Sequence, residues 1–82
     1  MSEWVVYILE CKDNTLYTGI TNNIERRLAQ HESGKGAKYT KGRGPFKLVY
    51  NEFCKDRNEA SRAEIEIKKL SREEKIKLIY NK

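Results

Sequence analysis

The chain has 82 residues, of which 38% are hydrophobic and 35% are charged, and it carries a formal net charge of +5 at pH 7. A chain of this length can bury one hydrophobic core, so we expect a single domain over residues 1–82. Its apolar residues occur in periodic runs, which favours a folded protein over a disordered one. The excess of basic residues favours polyanionic partners.

The N-terminal region does not resemble a targeting segment. Its longest apolar run, Trp4 to Leu9, is too short to span a bilayer, and the start lacks the order of a signal peptide. We therefore expect a cytoplasmic protein that does not enter a membrane. There Cys11 and Cys54 would stay reduced, and their separation does not fit metal-ligand spacing.

The first elements predicted along the chain are two strands. Residues 4–9 (WVVYIL) and 15–20 (TLYTGI) are rich in β-branched and aromatic side chains, and residues 12–14 between them have turn chemistry. This pattern predicts a β-hairpin. Because the first strand is apolar on both faces, other elements must cover each side of the sheet.

The remaining pattern predicts a helix, a strand and two further helices. Asn22 stands three residues before Glu25, a variant of the capping box, and predicts a helix over 23–33. Residues 46–54 (FKLVYNEFC) predict a third strand, Asp56 opens a second helix, and Ser71 opens a short third one. The order ββαβαα predicts an α+β fold with a three-stranded, mainly antiparallel sheet flanked by helices.

A basic, glycine-rich segment separates the first helix from the third strand. No acidic residue lies between Ser33 and Asn51, whereas the cations there include Lys35, Lys38, Lys41 and Arg43. Such a segment can follow a phosphate backbone with its cations and its main-chain N–H groups. The alternative is a solvated, flexible loop.

Two basic side chains of the first predicted helix share one side. Arg27 and His31 are four residues apart, so a guanidinium and an imidazole could address one anion. The alternative is a polar helix face, on which Arg26, Arg27 and His31 meet solvent.

Glu64 falls within the apolar stripe of the second predicted helix, formed by Ala60, Ala63 and Ile67. An acid at the edge of a core costs free energy unless it is paired or binds a cation. Three explanations stay open at this point: an ion pair with Arg27, a divalent metal ion, or a metal ion with Arg27 nearby.

Tyr7 and Tyr17 lie on the two strands of the predicted hairpin, where aromatic pairs are more often packing partners than catalysts. The length of the turn supplies a test. A two-residue loop would place the tyrosines on opposite faces of the sheet, and an odd-length loop or a bulge would place both on one face. Only the second arrangement forms a shared site, and that is the arrangement we predict.

These residues resemble the GIY-YIG nuclease superfamily in order and spacing. Val5-Val6-Tyr7 stands where a Gly-Ile-Tyr triplet is expected, and Tyr17-Thr18-Gly19 is similar to Tyr-Ile-Gly ten residues later. Residues 23–31 (NIERRLAQH) and 60–68 (ASRAEIEIK) resemble the helices that carry the arginine and the metal-binding glutamate of the family. Residues 34–40 (GKGAKYT), with Pro45, resemble its small stand-alone bacterial branch.

The resemblance implies a metal-dependent endonuclease that hydrolyses phosphodiester bonds in nucleic acid, with DNA favoured. Its implied catalytic residues are Tyr7, Tyr17, Arg27, His31 and Glu64, and Glu64 would hold one Mg²⁺ or Mn²⁺ ion. Arg27 would bind a phosphoryl oxygen. Tyr7 would be the general base, with His31 either taking its proton or acting as the base itself. A non-catalytic nucleic-acid-binding module and a purely structural domain are the alternatives.

Overall fold

Three antiparallel strands form the sheet of the computed structural model, which describes residues 3–36 and 38–80. The strands are β1 (Val5–Glu10), β2 (Leu16–Thr21) and β3 (Lys47–Phe53), in the spatial order β2-β1-β3. The helices are α1 (Ile24–Glu32), α2 (Arg57–Lys68) and α3 (Arg72–Tyr80), and a 3₁₀ helix spans Lys38–Thr40. The predicted α+β class and the order ββαβαα are confirmed, whereas the 3₁₀ helix was not predicted. Ala37, within the basic segment, lies outside the described residues.

A three-residue loop sets the register of the hairpin. The Cys11 N–H donates to the Thr15 carbonyl at 2.9 Å, and Asn14 closes the loop with a positive φ of 67°. Asparagine tolerates this left-handed conformation better than most residues. The resulting register pairs Tyr7 with Gly19 and Leu9 with Tyr17. Tyr7 and Tyr17 therefore lie on the same face, as predicted from the parity of an odd-length loop.

Helices cover the sheet on both faces. On one face Val6 and Ile8 pack in a buried cluster with residues of β3 and α2, namely Tyr50, Cys54, Ala60 and Ile67, and α3 adds Leu78 and Ile79. On the other face Tyr7 contacts His31 of α1, and both side chains are buried. This arrangement explains why β1 is apolar on both sides. Within residues 3–36 and 38–80, no helix has the length and apolar character needed to cross a membrane.

Hydrogen-bonded caps define where the helices begin. The Asn23 side chain accepts from the Arg26 N–H at 3.1 Å, so the prediction that Asn22 caps α1 was wrong by one residue. The reason is geometric: the capping residue directly precedes the first helical residue, which is Ile24. The predicted capping box of α3 is confirmed, with Ser71 and Glu74 exchanging hydrogen bonds of 2.9 and 3.2 Å.

The cap of α2 supplies a test of stability. The Asp56 side chain accepts from the Glu59 N–H at 2.8 Å. We expect Asp56→Ala to lower the free energy of unfolding by about 0.5–2 kcal/mol, or roughly 4–8 °C in melting temperature per kcal/mol. Thermal denaturation by circular dichroism measures this. Asp56→Ser, which keeps an acceptor, is the control, and an Ala variant as stable as the parent would contradict the cap.

Candidate active site

Two tyrosines from neighbouring strands form the floor of the candidate site. The ring centroids of Tyr7 and Tyr17 are 6.3 Å apart. Gly19 lies directly opposite Tyr7, and a Cβ there would stand 2.7 Å from the Tyr7 hydroxyl oxygen and 3.0 Å from Cε2 of Tyr17. A side chain at position 19 would therefore displace one ring or both. The glycine of the Tyr17-Thr18-Gly19 triplet is required by this close approach.

Helix α1 places His31 beneath the tyrosines. Its Nε2 lies 2.9 Å from the Tyr7 hydroxyl, and its Nδ1 lies 2.8 Å from Oγ1 of Thr40. His31 and Thr40 are each only 1% exposed. Gly36 leaves room for the imidazole, because a Cβ there would come within 2.3 Å of Nδ1. The alternative that His31 simply meets solvent on a polar helix face is wrong.

The hydrogen-bond partners indicate the tautomer of His31. Burial lowers the pKa of His31, and the positive charge of Arg27 adds to this effect. Burial also raises the pKa of Tyr7, so the folded protein favours a neutral phenol beside a neutral imidazole. The neutral phenol can donate its proton to Nε2, which lies 2.9 Å away. In that arrangement Nδ1 carries the ring proton and donates to Thr40.

Arg27 connects α1 to both tyrosines. NH1 of Arg27 donates to Oε1 of Gln30 at 3.0 Å, and its guanidinium interacts electrostatically with the hydroxyls of Tyr7 and Tyr17. The interaction with Tyr7 raises the pKa of Arg27, against the opposing effect of burial. Four of the residues proposed from the sequence, Tyr7, Tyr17, Arg27 and His31, thus form one contiguous cluster.

Glu64 approaches the same region from α2. Its side chain is 23% exposed, and Oε2 lies 3.3 Å from Nζ of Lys68. No ion pair joins Glu64 to Arg27 in the part of the chain that the structure describes, so a direct pair does not explain the position of this acid. Glu64 does raise the pKa of Tyr7 slightly by its charge, which is the smallest of the causes acting on that hydroxyl.

The chemistry of the donor groups limits which metal ion this region could hold. Within residues 3–36 and 38–80, no group of three or more His, Cys, Asp or Glu side chains could hold a metal ion. That excludes a closed zinc-type site from this part of the molecule. A single, partly buried carboxylate fits Mg²⁺, which keeps several waters and uses one or two protein carboxylates.

The basic segment divides into two parts. Lys35, Lys38 and Lys41 are exposed. Arg43 instead forms an ion pair with Asp13 in the β1–β2 turn, and its carbonyl accepts from the Lys12 N–H at 2.9 Å. Arg43 therefore anchors the segment to the hairpin, a role that the sequence analysis did not foresee.

Sequence analysis also missed two residues next to the proposed ones. Thr40 reaches His31 from the loop, and no helical or strand periodicity links positions that are nine residues apart. Asn51 of β3 pairs with Tyr7 and so lies on the same face of the sheet. A bulge in β3, where the register shifts between Ile8 and Leu9 of β1, made that face difficult to assign from alternation alone.

The chain is similar in sequence to one family model and to several relatives. The model of the GIY-YIG catalytic domain family matches residues 3–77. A UPF0213 protein of Clostridium perfringens is 58% identical over 77 residues, which are 94% of this chain and 83% of that protein. One from Staphylococcus haemolyticus is 56% identical over 79 residues, which are 96% of each protein.

Solved structures show the same fold. The solution NMR structure of a UPF0213 protein from Bacillus halodurans has a TM-score of 0.65 at 52% identity, covering 98% of this chain and 85% of that one. A solution NMR structure of a protein from E. faecalis has a TM-score of 0.64 at 37% identity, covering 95% of this chain and 84% of that one.

The protonation of His31 can be measured directly, because it is the only histidine in the chain. We expect its NMR titration midpoint below the ordinary value of about 6.5. Arg27→Gln should raise the midpoint only in part, since burial is the larger cause of the lowered pKa of His31.

The stability of the protein should depend on the same protonation. As the pH drops, the unfolded chain protonates His31 at a higher pH than the folded chain does. The free energy of unfolding should therefore fall as the pH drops through about 6.5 towards the folded pKa. A midpoint above 6.5 would contradict a neutral, buried imidazole.

Proposed function

Because the chain belongs to the GIY-YIG catalytic domain family, we propose that it is a divalent-metal-dependent endonuclease that hydrolyses phosphodiester bonds, with DNA as the substrate. The supporting observation is the contiguous cluster of Tyr7, Tyr17, Arg27 and His31, with Glu64 close enough to influence Tyr7. We propose one catalytic domain over residues 1–82, acting in the cytoplasm.

Phosphodiester hydrolysis needs neutralisation of the phosphoryl oxygens and a base for the attacking water. Arg27 supplies a planar, permanently charged donor for a non-bridging oxygen. Tyr17 is half-buried beside it and donates its hydroxyl proton to another phosphate oxygen. Lys35, Lys38, Lys41 and Arg43 provide positive charge for the flanking backbone.

The proton path runs from Tyr7 to His31. The raised pKa of Tyr7 makes the phenol a poor base unless a neighbour accepts its proton. Nε2 of the neutral His31 lies 2.9 Å away and is that acceptor. Once protonated, the imidazole still donates from Nδ1 to Thr40. We assign the role of base to Tyr7 and the role of proton acceptor to His31, because Nε2 of His31 faces the Tyr7 hydroxyl.

Access to Tyr7 requires a rearrangement of Arg27. Tyr7 is fully buried, and Arg27 is close enough to lower the pKa of its hydroxyl. When the guanidinium turns to the phosphate, it uncovers the hydroxyl for the attacking water. Glu64 would hold the Mg²⁺ or Mn²⁺ ion, which when bound supplies Lewis-acid stabilisation of the developing negative charge.

A non-catalytic nucleic-acid-binding module is the second candidate. The full burial of Tyr7 and the ion pair between Glu64 and Lys68 favour it, since both groups are satisfied without substrate or metal. A cleavage assay separates the two functions. The purified protein is incubated with single-stranded, duplex and branched DNA and RNA, in Mg²⁺, Mn²⁺ or chelator. Metal-dependent cleavage supports the nuclease, and binding without cleavage supports the module.

We expect Glu64→Gln to abolish metal-dependent cleavage while keeping most of the affinity for nucleic acid. The amide has the size of the acid but lacks the charge that binds a hard cation. Glu66→Gln is a matched control on the same helix, because Glu66 is 75% exposed and its ion pair with Lys69 spans 3.9 Å. Cleavage, affinity and melting temperature are measured on both variants. Cleavage that survives in Glu64→Gln would refute the metal role.

Thr40 offers a test of the proton path, as a residue that positions His31. Thr40→Val should lower cleavage by about 10-fold or more, yet less than the roughly 10²–10⁴-fold expected for loss of a proton-transfer group. In this variant the ¹⁵N chemical shifts of the His31 imidazole should move from the values of one tautomer towards those of a mixture of the two. Thr40→Ser keeps the hydroxyl and should retain both properties. Unchanged ¹⁵N shifts in Thr40→Val would show that Thr40 does not fix the tautomer.

A further inference from the structure

A basic groove runs along the outer side of β2, where this edge strand meets α2 and α3. Its larger part is a cavity of about 390 Å³ lined by Leu16, Tyr17, Thr18, Lys68 and Lys75. Its smaller part, about 200 Å³, shares Leu16 and Lys75 and adds Thr15 and Arg72. We call these two adjoining cavities the β2 groove. The larger cavity is within the usual range of ligand pockets, about 300–1,000 Å³.

Among the residues that the structure describes, the charged residues that line the β2 groove are all cations. Lys68 and Lys75 line the larger cavity, and Arg72 lines the smaller one. A third cavity, beside Phe53, has the opposite charge, because its described charged residues are the acids Glu3 and Glu25. The β2 groove therefore attracts anions, and the cavity beside Phe53 does not.

A buried hydroxyl in the β2 groove lacks a partner. Thr18 is 3% exposed, and its Oγ1 has no hydrogen-bond partner among the residues that the structure describes. An unsatisfied buried hydroxyl lowers the stability of the folded protein. Thr18 lines the same cavity as Lys68 and Lys75. A donor hydroxyl beside two ammonium groups is a suitable set for the oxygens of a phosphate.

The β2 groove adjoins the candidate active site. Tyr17 belongs to both, and Lys68 of the groove pairs with Glu64 at 3.3 Å. Near the other end of β2 lies a cavity of about 270 Å³ whose lining includes Arg26 and Arg27. β2 has six residues, or about 20 Å at roughly 3.3 Å each. Cationic cavities thus lie near both ends of a strand whose Tyr17 touches Arg27.

We propose that the β2 groove binds a backbone phosphate of the nucleic acid next to the phosphate that is cut. Lys75 and Arg72 supply the charge. Because Oγ1 of Thr18 is buried, the side chains that line the groove shift when the phosphate binds, and this hydroxyl then donates to a phosphoryl oxygen. Lys68 contributes from the side of Glu64. This inference rests on the proposed function and extends it, because it assigns a binding subsite to residues outside the catalytic cluster and outside the basic segment.

The test compares two lysines of α3 that differ in position but not in charge. Lys75 lines the β2 groove, whereas Lys77 is exposed and does not line it. Fluorescence anisotropy with a labelled DNA oligonucleotide, in chelator, measures affinity over a series of salt concentrations. We expect Lys75→Gln to weaken binding and to reduce the salt slope by about one unit. Lys77→Gln should leave the slope close to that of the parent.

Thr18→Val gives an independent measurement. If the hydroxyl only packs, its removal should raise the melting temperature or leave it unchanged, with no effect on affinity. We expect Thr18→Val to have a lower affinity at an unchanged or raised melting temperature.

Three outcomes would contradict these expectations. Equal effects of Lys75→Gln and Lys77→Gln, with unaltered binding by Thr18→Val, would overturn the proposed phosphate site in the β2 groove and leave the nuclease proposal standing. Equal affinity for inorganic phosphate and the oligonucleotide would assign the groove to free phosphate and also overturn it. A parent that neither binds nor cuts nucleic acid overturns both proposals.

Discussion

The hydrogen bond between Tyr7 and His31 is the contact on which the candidate site depends. It joins the central strand β1 to α1 through two buried side chains, so neither partner can turn to water if the bond is lost. Leaving one buried polar group unpaired costs about 1–3 kcal/mol. The backbone around the bond is shaped to accommodate it, because Gly19 clears space at the hydroxyl of Tyr7 and Gly36 at the ring of His31. The loop then completes the network through Thr40.

Burial and positive charge together set the protonation states in this network. Removal from water favours the neutral forms of Tyr7 and His31, and Arg27 opposes this for the tyrosine while reinforcing it for the histidine. A neutral imidazole can accept a proton, and a neighbouring guanidinium stabilises a phenolate. The fold therefore places a proton acceptor and a counter-charge on either side of one hydroxyl.

Helix α2 serves the core and the site with neighbouring side chains. Ala60 and Ile67 are buried in the core, while Glu64 lies at the edge of the sheet and pairs with Lys68 one turn later. Lys68 in turn borders the β2 groove next to Tyr17. Packing of α2 on the sheet thereby determines where the carboxylate of Glu64 and the ammonium group of Lys68 lie relative to the tyrosines. Stability of this helix and placement of the site are linked for that reason.

Local sequence patterns were sufficient to predict the strands and α-helices of this protein. Tertiary contacts decided which residues of different elements interact. Alternation and capping boxes predicted the strands and helices because these signals act between residues a few positions apart. The triplets with Arg27, His31 and Glu64 also indicated the site. Thr40 and Thr18 escaped prediction, since their roles depend on where a loop closes over His31 and where α2 and α3 meet an edge strand. The pair of Glu64 with Lys68 is a local contact between residues four apart on α2. Whether Arg27 reaches Glu64 was decided by packing, because the sheet and helices set the distances between residues far apart in the chain.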